Sequence, residues 1–316
     1  MSAELHSLRG LAWILGVPLE RLLALARTAD HQYRPFTKKR PGKSPRPIDN
    51  PRDDIKEVQR LARRRFLANQ PIDDSVRACV KGGSPYKNAK VHCNQKNLAR
   101  VDVKKCYPSI TNTMAYRLLR TIGLGPKPAS LLTRLATRKG HLPQGAPTSD
   151  MIANLYLSPI DRRAKEIAAT LDLQNSRCLD DVAVSGDGRT REAIGPLIEA
   201  IRGLGLAVRH GKTGNAGATK AHVLTGYHVN GPNGPKVARE KVQEIRTGVY
   251  QLVCAHRCGE PIEERSRSVR GSLAYLRPTK PGLVLRLERQ LDAAGVPFRT
   301  AGSQAVKRRP GDPQSR

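Results

Sequence analysis

The residues best able to do chemistry are two adjacent carboxylates, Asp180 and Asp181, in the stretch Arg177-Cys-Leu-Asp-Asp-Val-Ala-Val-Ser-Gly186. β-Branched Val182 and Val184 follow with period-2 spacing. The pattern predicts a strand, a tight turn carrying the Asp pair, and a second strand that buries its valines. Two carboxylates side by side in a basic chain suit a hard divalent cation, since magnesium takes oxygen ligands from one or two carboxylates, water and substrate phosphates. The dipeptide alone is weak, because Asp53-Asp54 and Asp73-Asp74 repeat it. Asp102 strengthens it: it ends the apolar run Leu98-Ala-Arg-Val, and in a neighbouring strand it would bring a third carboxylate to the pair. Three carboxylates can hold two ions about 3.5–4 Å apart, which activate an attacking 3′-hydroxyl and stabilise the leaving oxygen in phosphoryl transfer. Leu206-Ala-Val-Arg-His-Gly places Lys212 after a further strand, where it can protonate a departing pyrophosphate as a general acid.

The elements that must position these groups follow from periodicity and punctuation. Tyr107 begins the turn from the Asp102 strand into a helix over 113–122. Leu142-Pro-Gln144-Gly145-Ala-Pro-Thr-Ser149 is a Gly/Pro-marked loop; Gln144 and the Gly145 backbone can touch a nucleotide, and Ser149 caps a helix through Ile152, Leu155, Tyr156 and Ile160. Another helix spans 190–203, and Val223-Leu224-Thr225-Gly226-Tyr227 starts a hairpin. Upstream, two short helices split at Gly16-Val-Pro18, a basic extended stretch over 33–52 has Gly42 as its hairpin tip, and a helix over 54–67 carries a basic face at Arg63–Arg65. Residues 81–94 read as a loop in which Asn88 and His92 are spaced to share a face of one helical turn. The order strand-helix, helix, strand-turn-strand, helix, strand is that of an α+β palm. From Gly231 the chain becomes helical with basic faces, suited to gripping a minor groove or an RNA stem by shape and phosphate. Residues 301–316, rich in Lys, Arg, Pro and Gly, read as disordered.

Composition narrows the partners. The 316 residues hold 56 Lys+Arg against 27 Asp+Glu, a formal charge of +29, which calls for a polyanion such as nucleic acid. One Trp, eight Tyr and three Phe are too few for a binder of single strands by stacking. No apolar run is long enough to span a membrane and no signal peptide opens the chain, so a cytoplasmic protein with no membrane partner is expected. Six scattered cysteines do not suggest a disulfide framework, and Cys254-Ala-His-Arg-Cys258 reads as a helix face rather than a zinc site.

Taken in order, Asp102 with Tyr107, Gln-Gly-Ala-Pro-Thr-Ser at 144–149, Asp180-Asp181 and Lys212 resemble the reverse transcriptases over roughly residues 30–230. Asn88-Ala-Lys-Val-His92, Leu224-Thr225-Gly226, and Thr28-Ala-Asp30 with Tyr33-Arg34 resemble the bacterial retron type within them. The resemblance implies a right-hand polymerase of the α+β class: amino-terminal helices and fingers over 1–101, a palm over 102–230 with fingers helices interleaved, a helical thumb over 231–300 and a basic tail over 301–316. It implies that Asp102, Asp180, Asp181 and the Val103 carbonyl ligate two Mg2+ ions, and that Lys212 meets the departing pyrophosphate. By the same resemblance Arg46 meets the dNTP triphosphate, Gln144 and Gly145 the nucleotide, and Tyr107 the sugar, where it excludes a 2′-hydroxyl. Asn88, His92, Leu224, Thr225 and Gly226 would help recognise a structured non-coding RNA that serves as primer and template. In that group synthesis starts from a 2′-hydroxyl of an internal guanosine, gives branched RNA-linked DNA, and acts with an effector protein in anti-phage defence. The rival readings are a group II intron or CRISPR-associated reverse transcriptase, which the short chain disfavours, and an inactive RNA-binding relative. Family members usually carry an aromatic residue where Cys178 stands, supporting the primer end, and Val where Leu224 stands; with the acidic residues intact, an active enzyme is expected.

Overall fold

The structure, a computed structural model, describes residues 4–40 and 43–298. The expected hairpin tip at Gly42 and the tail over 301–316 lie outside the described residues. The chain divides at Gly234/Pro235 into two compact units.

The first unit opens with α1 (Leu8–Leu15) and α2 (Leu19–Arg27). Ser7 caps α1 by accepting the Gly10 N–H at 2.9 Å, and Gly16 ends it at φ +62°. β1 (Tyr33–Arg40) and β2 (Lys43–Pro51) form an isolated antiparallel ribbon with Lys38 opposite Arg46. A two-stranded ribbon is all edge, which is why it tolerates Pro35, Pro45, Pro47 and Pro51. α3 (Asp53–Arg65) starts on Asp53-Asp54 and ends on Arg63–Arg65, charges that complement its dipole; Arg65 Nη1 reaches back to the Leu15 carbonyl at 2.8 Å, closing the end of α1.

The expected loop over 81–94 is instead organised around a helix, α4 (Pro85–Val91). Ser84 accepts the Lys87 N–H at 3.1 Å as its cap, and Pro85 fills the first turn, where a missing N–H costs nothing. β3 (Asn97–Asp102) leads through α5 (Cys106–Ser109) into α6 (Asn112–Thr121) and α7 (Pro126–Ala136). The predicted long helix after Ser149 is two helices, α8 (Ser149–Tyr156) and α9 (Ser158–Leu171), broken at Leu157 ahead of Pro159. Nor does Ser149 cap α8: its hydroxyl donates to the Pro143 carbonyl at 2.7 Å, closing the preceding loop.

β4 (Gln174–Cys178) and β5 (Asp181–Gly186) follow, then α10 (Ile194–Gly203) and β6 (Gly214–Ala216). The sheet order is β4-β5-β3-β6, antiparallel throughout. Helices cover it, and Val101, Val182 and Val184 lie in the resulting core. The run before Lys212 is not a strand: Val208 makes one bridge to Val103, and His210–Lys212 is a single helical turn. β7 (Val223–Leu224) and β8 (Tyr227–His228) form the predicted hairpin, with Thr225 and Gly226 both at positive φ, +50° and +91°, as a two-residue hairpin turn requires.

The second unit contains α11 (Arg239–Arg257), α12 (Glu263–Leu276) and α13 (Pro281–Ala293). They pack on one another through Ile245, Val249, Leu252, Leu273, Leu276, Leu287 and Leu291. Cys254 lies on α11 and Cys258 caps it.

Candidate active site

The register of β3 against β5 sets Asp102 directly opposite Asp181. β4 and β5 are joined by Leu179 and Asp180 alone, and Leu179 takes φ +58°, a left-handed conformation that a leucine keeps only when its surroundings hold it. Arg177 is the holder. Its Nη1 donates to the Leu179 carbonyl and to Asn154 Oδ1, both at 2.9 Å, while Nε and Nη2 fork onto Asp161 at 2.6 and 2.7 Å. The guanidinium is buried with its partners, so the turn carrying Asp180 is fastened from beneath. The Val103 N–H donates to the Asp180 carbonyl at 2.8 Å and ties the same turn to the end of β3.

Each carboxylate meets a different neighbour. Asp102 is buried and its Oδ2 accepts from Lys212 Nζ at 2.9 Å. Arg209 Nε lies 3.3 Å from Oδ1 without being aligned to donate, which leaves that buried oxygen with no hydrogen bond. Arg100 clamps Asp181, Nε donating to Oδ1 at 3.1 Å and Nη2 to Oδ2. Asp180 has no ion pair among the described residues. Burial lifts the carboxyls of Asp180 and Asp181 above the usual range and the charge of Asp102 adds to both, while Arg100 pulls Asp181 back.

Cations take two of the three carboxylates, and no group of three His, Cys, Asp or Glu among the described residues is placed to hold a metal ion. The donor set still fits a hard divalent cation. All the groups are carboxylates, one buried oxygen lacks a partner, and negative charge is crowded into a poorly solvated place. Opposite Asp181 stands Cys178, whose thiol burial pushes up to about 11, with Asp181 and Asp180 adding to the shift. It stays protonated at neutral pH and behaves as a small apolar side chain.

The residues expected at the nucleotide form a second group. Hydrogen-bond donors around it assign the Gln144 amide oxygen to the side facing Arg46, so that it accepts from Nη2 and Nε at 2.9 and 2.5 Å, and the Gln144 carbonyl accepts from the Asp49 N–H at 2.8 Å. Gly145 takes φ +125°, and a Cβ there would come within 3.1 Å of both the Asp49 carbonyl and Ile48, so only glycine lets this loop lie against β2. Arg138 pairs with Asp49 and closes the same junction. Tyr107, on α5, is partly buried, and burial raises its hydroxyl well above the usual range, helped by the charge of Asp150.

Asn88, His92 and Leu224 point inward and are fully buried, so none presents its side chain at the surface. His92 Nδ1 is 2.6 Å from Ser185 Oγ and its Nε2 is 2.7 Å from Ser176 Oγ, while Ser176 donates to Asn88 Oδ1 at 2.9 Å. With its own proton on Asn88, Ser176 must accept from Nε2–H, so Nδ1 carries the lone pair that accepts from Ser185. Burial, then the charge of Arg100, lowers the His92 pKa to about 3, keeping the ring neutral. Thr225 is half-buried and its hydroxyl donates to the Pro85 carbonyl at 2.7 Å, while Tyr86 and Tyr227 meet edge to face at 5.8 Å. The motifs around 88–92 and 224–226 are thus bonded to each other.

Sequence reasoning passed over three arginines. Arg177 was visible as a charge within an apolar run, and Arg100 stands two residues before Asp102, hence on the same face of β3. Arg209 left no signal, because its link to Asp102 depends on a chain crossing more than a hundred residues away.

Comparison with known proteins identifies the family. Residues 37–229 match the family described as reverse transcriptase (RNA-dependent DNA polymerase). The chain is 28% identical over 276 residues to the retron Ec86 reverse transcriptase of Escherichia coli, covering 86% of this chain and 84% of that protein. It is 29% identical over 319 residues to the retron Mx162 reverse transcriptase of Myxococcus xanthus, covering 88% of this chain and 65% of that protein. With the retron Mx65 reverse transcriptase of the same organism it shares 26% identity over 272 residues, covering 78% and 61%. The α+β architecture fits a right-hand polymerase, and the chain belongs to the reverse transcriptase family, enzymes that polymerise DNA on RNA, resembling the retron type within it.

Proposed function

We propose that this chain is a retron reverse transcriptase that uses a structured non-coding RNA as primer and template and makes branched RNA-linked single-stranded DNA. The observation that carries the reading is the register of Asp102 against Asp181 with Asp180 in the adjoining turn. Asp102, Asp180 and Asp181, with the Val103 carbonyl, would hold two Mg2+ ions, which when bound supply activation of the attacking hydroxyl and stabilisation of the leaving oxygen. Lys212 holds its Nζ against Asp102, where it would be available to the departing pyrophosphate. Arg46 and Gln144 would align the dNTP at the junction of β2 with the 142–149 loop, and Tyr107 would screen its sugar.

In this reading residues 1–101 are amino-terminal helices and fingers, 102–230 the palm, and 231–300 a thumb that holds duplex by its phosphates. Thr225 and Gly226, on the exposed hairpin turn, meet the RNA; Asn88, His92 and Leu224 support that hairpin from within. The formal charge of +29 supports a nucleic-acid partner bound with strong salt dependence. The enzyme works in the cytoplasm, with an effector protein, in defence against phage. No helix among the described residues is long and apolar enough to cross a membrane.

The test is to purify the protein from its native host and sequence the nucleic acid that comes with it. A discrete RNA joined through a 2′ linkage to short DNA is expected. Heterogeneous RNA with no attached DNA contradicts the proposal.

A further inference from the structure

Arg100 makes three hydrogen bonds that join parts of the chain far apart in sequence. Nε and Nη2 fork onto the two oxygens of Asp181, and Nη1 donates to the Val223 carbonyl at 3.1 Å, at the start of the 223–228 hairpin. The reach follows from the register. Arg100 lies opposite Ala183, which shares a strand face with Asp181, so the side chain extends diagonally across the β3–β5 pair. A planar guanidinium can serve a carboxylate and a carbonyl at once; a lysine ammonium cannot reproduce that fork.

The same hairpin is held from its other side. Thr225 bonds to Pro85 and Tyr227 meets Tyr86, both on α4, and α4 is bonded through Asn88 and His92 to Ser176 on β4 and Ser185 on β5. A neutral frame through α4 and a charged link through Arg100 therefore both connect the hairpin to the strands that flank Asp180 and Asp181. Val223 is 39% exposed, so the side of the hairpin that Arg100 fastens faces solvent.

Resting on the polymerase reading above, we propose that Arg100 is a positioning residue for DNA synthesis. It holds the Asp181 carboxylate and the 223–228 hairpin in one geometry, and a divalent cation must compete with it for Asp181. The link orients a carboxylate that would hold a metal ion ahead of RNA binding, the kind of preorganisation whose loss lowers the rate of the chemical step rather than substrate affinity.

The experiment uses Arg100→Gln and Arg100→Lys in the full chain, with two readouts. In single-turnover dNTP addition to an annealed RNA template and DNA primer, Arg100→Gln is expected to lower the maximal rate at least about tenfold, with reactive amplitude and apparent dNTP affinity unchanged. Arg100→Lys should recover part of that loss. In Mn2+ titration of the RNA-free protein followed by electron paramagnetic resonance, Arg100→Gln should bind Mn2+ at least about threefold more tightly, because a competing cation is gone. In an Asp181→Asn background the Arg100 substitution should no longer change Mn2+ affinity.

A rate within about twofold of the parent, or an amplitude that falls with the melting temperature while the rate does not, overturns the proposal by reducing Arg100 to a structural contact. Unchanged or weaker Mn2+ binding in Arg100→Gln overturns it as well. Parent protein that adds no nucleotide sinks the polymerase reading instead, while the Mn2+ arm still reports whether Arg100 contends for Asp181.

Discussion

Asp181 and Ser185 stand four residues apart on one face of β5, and both are polar groups answered by partners from distant segments. Around Ser185 the arrangement is neutral and directional. Ser185 donates to His92, His92 to Ser176 and Ser176 to Asn88, with only Asn88 Nδ2 left over. Around Asp181 it is charged and incomplete. Asp181 and Asp102 pair with Arg100, Arg209 and Lys212, Asp102 Oδ1 has no hydrogen bond, and Asp180 has no ion pair among the described residues. One end of the strand is built to stay as it is and the other to exchange its partners. A buried network that closes on itself gives rigidity, whereas crowded carboxylates give a place where cations and a substrate can be bound.

The sharpest way to break the contrast is to attack what both ends share, the β4–β5 hairpin. Arg177→Met leaves Asp161 as a buried unpaired charge and frees Leu179 from its left-handed turn, so a loss of about 3–5 kcal/mol is expected in denaturant unfolding.

A smaller effect separates the two ends. His92→Gln removes the centre of the neutral chain and should cost about 1–3 kcal/mol, with the activity per folded molecule retained. It should also change the acid limb. A pKa of about 3 in the fold lies below the unfolded value, so the unfolded state binds the proton first and stability falls as pH drops from the unfolded pKa toward the folded one. The parent should therefore lose about 1.4 kcal/mol per pH unit from this group across that window, and His92→Gln should lose less, as read by urea unfolding at successive pH values.

The opposite sign is expected at the charged end. Asp180 has a carboxyl lifted by burial and by Asp102, so its ionisation costs stability as pH rises from the unfolded pKa through the raised one. Asp180→Asn removes that cost and should raise Tm of the metal-free protein at pH 7 by about 2–4 °C, the equivalent of roughly 1 kcal/mol, with the gain vanishing in acid. A stabilising substitution that destroys activity would mark Asp180 as a site of function rather than of packing.

The same two ends explain what could be read from the sequence. The convergence of Asp102, Asp180, Asp181 and Lys212 was legible because chemistry restricts residue type, and period-2 valines announced the strand that begins at Asp181. α4 read as a loop because its glycines and prolines outweighed a cap and a Pro start that were both present. The inward orientation of Asn88 and His92 was hidden, since their partners Ser176 and Ser185 lie more than eighty residues downstream and serines carry no signal of burial. Arg100 was hidden for the same reason: its meaning comes from a diagonal contact across a strand pair, which no spacing along the chain records.

The most direct measurement is nucleotide incorporation by the double variant Asp180→Asn, Asp181→Asn, paired with RNA affinity at one fixed salt concentration. Incorporation should fall by at least about a thousandfold while the dissociation constant for RNA stays within about threefold of the parent, since phosphate contacts elsewhere dominate binding. Incorporation that survives the double substitution would contradict the assignment of these carboxylates to catalysis.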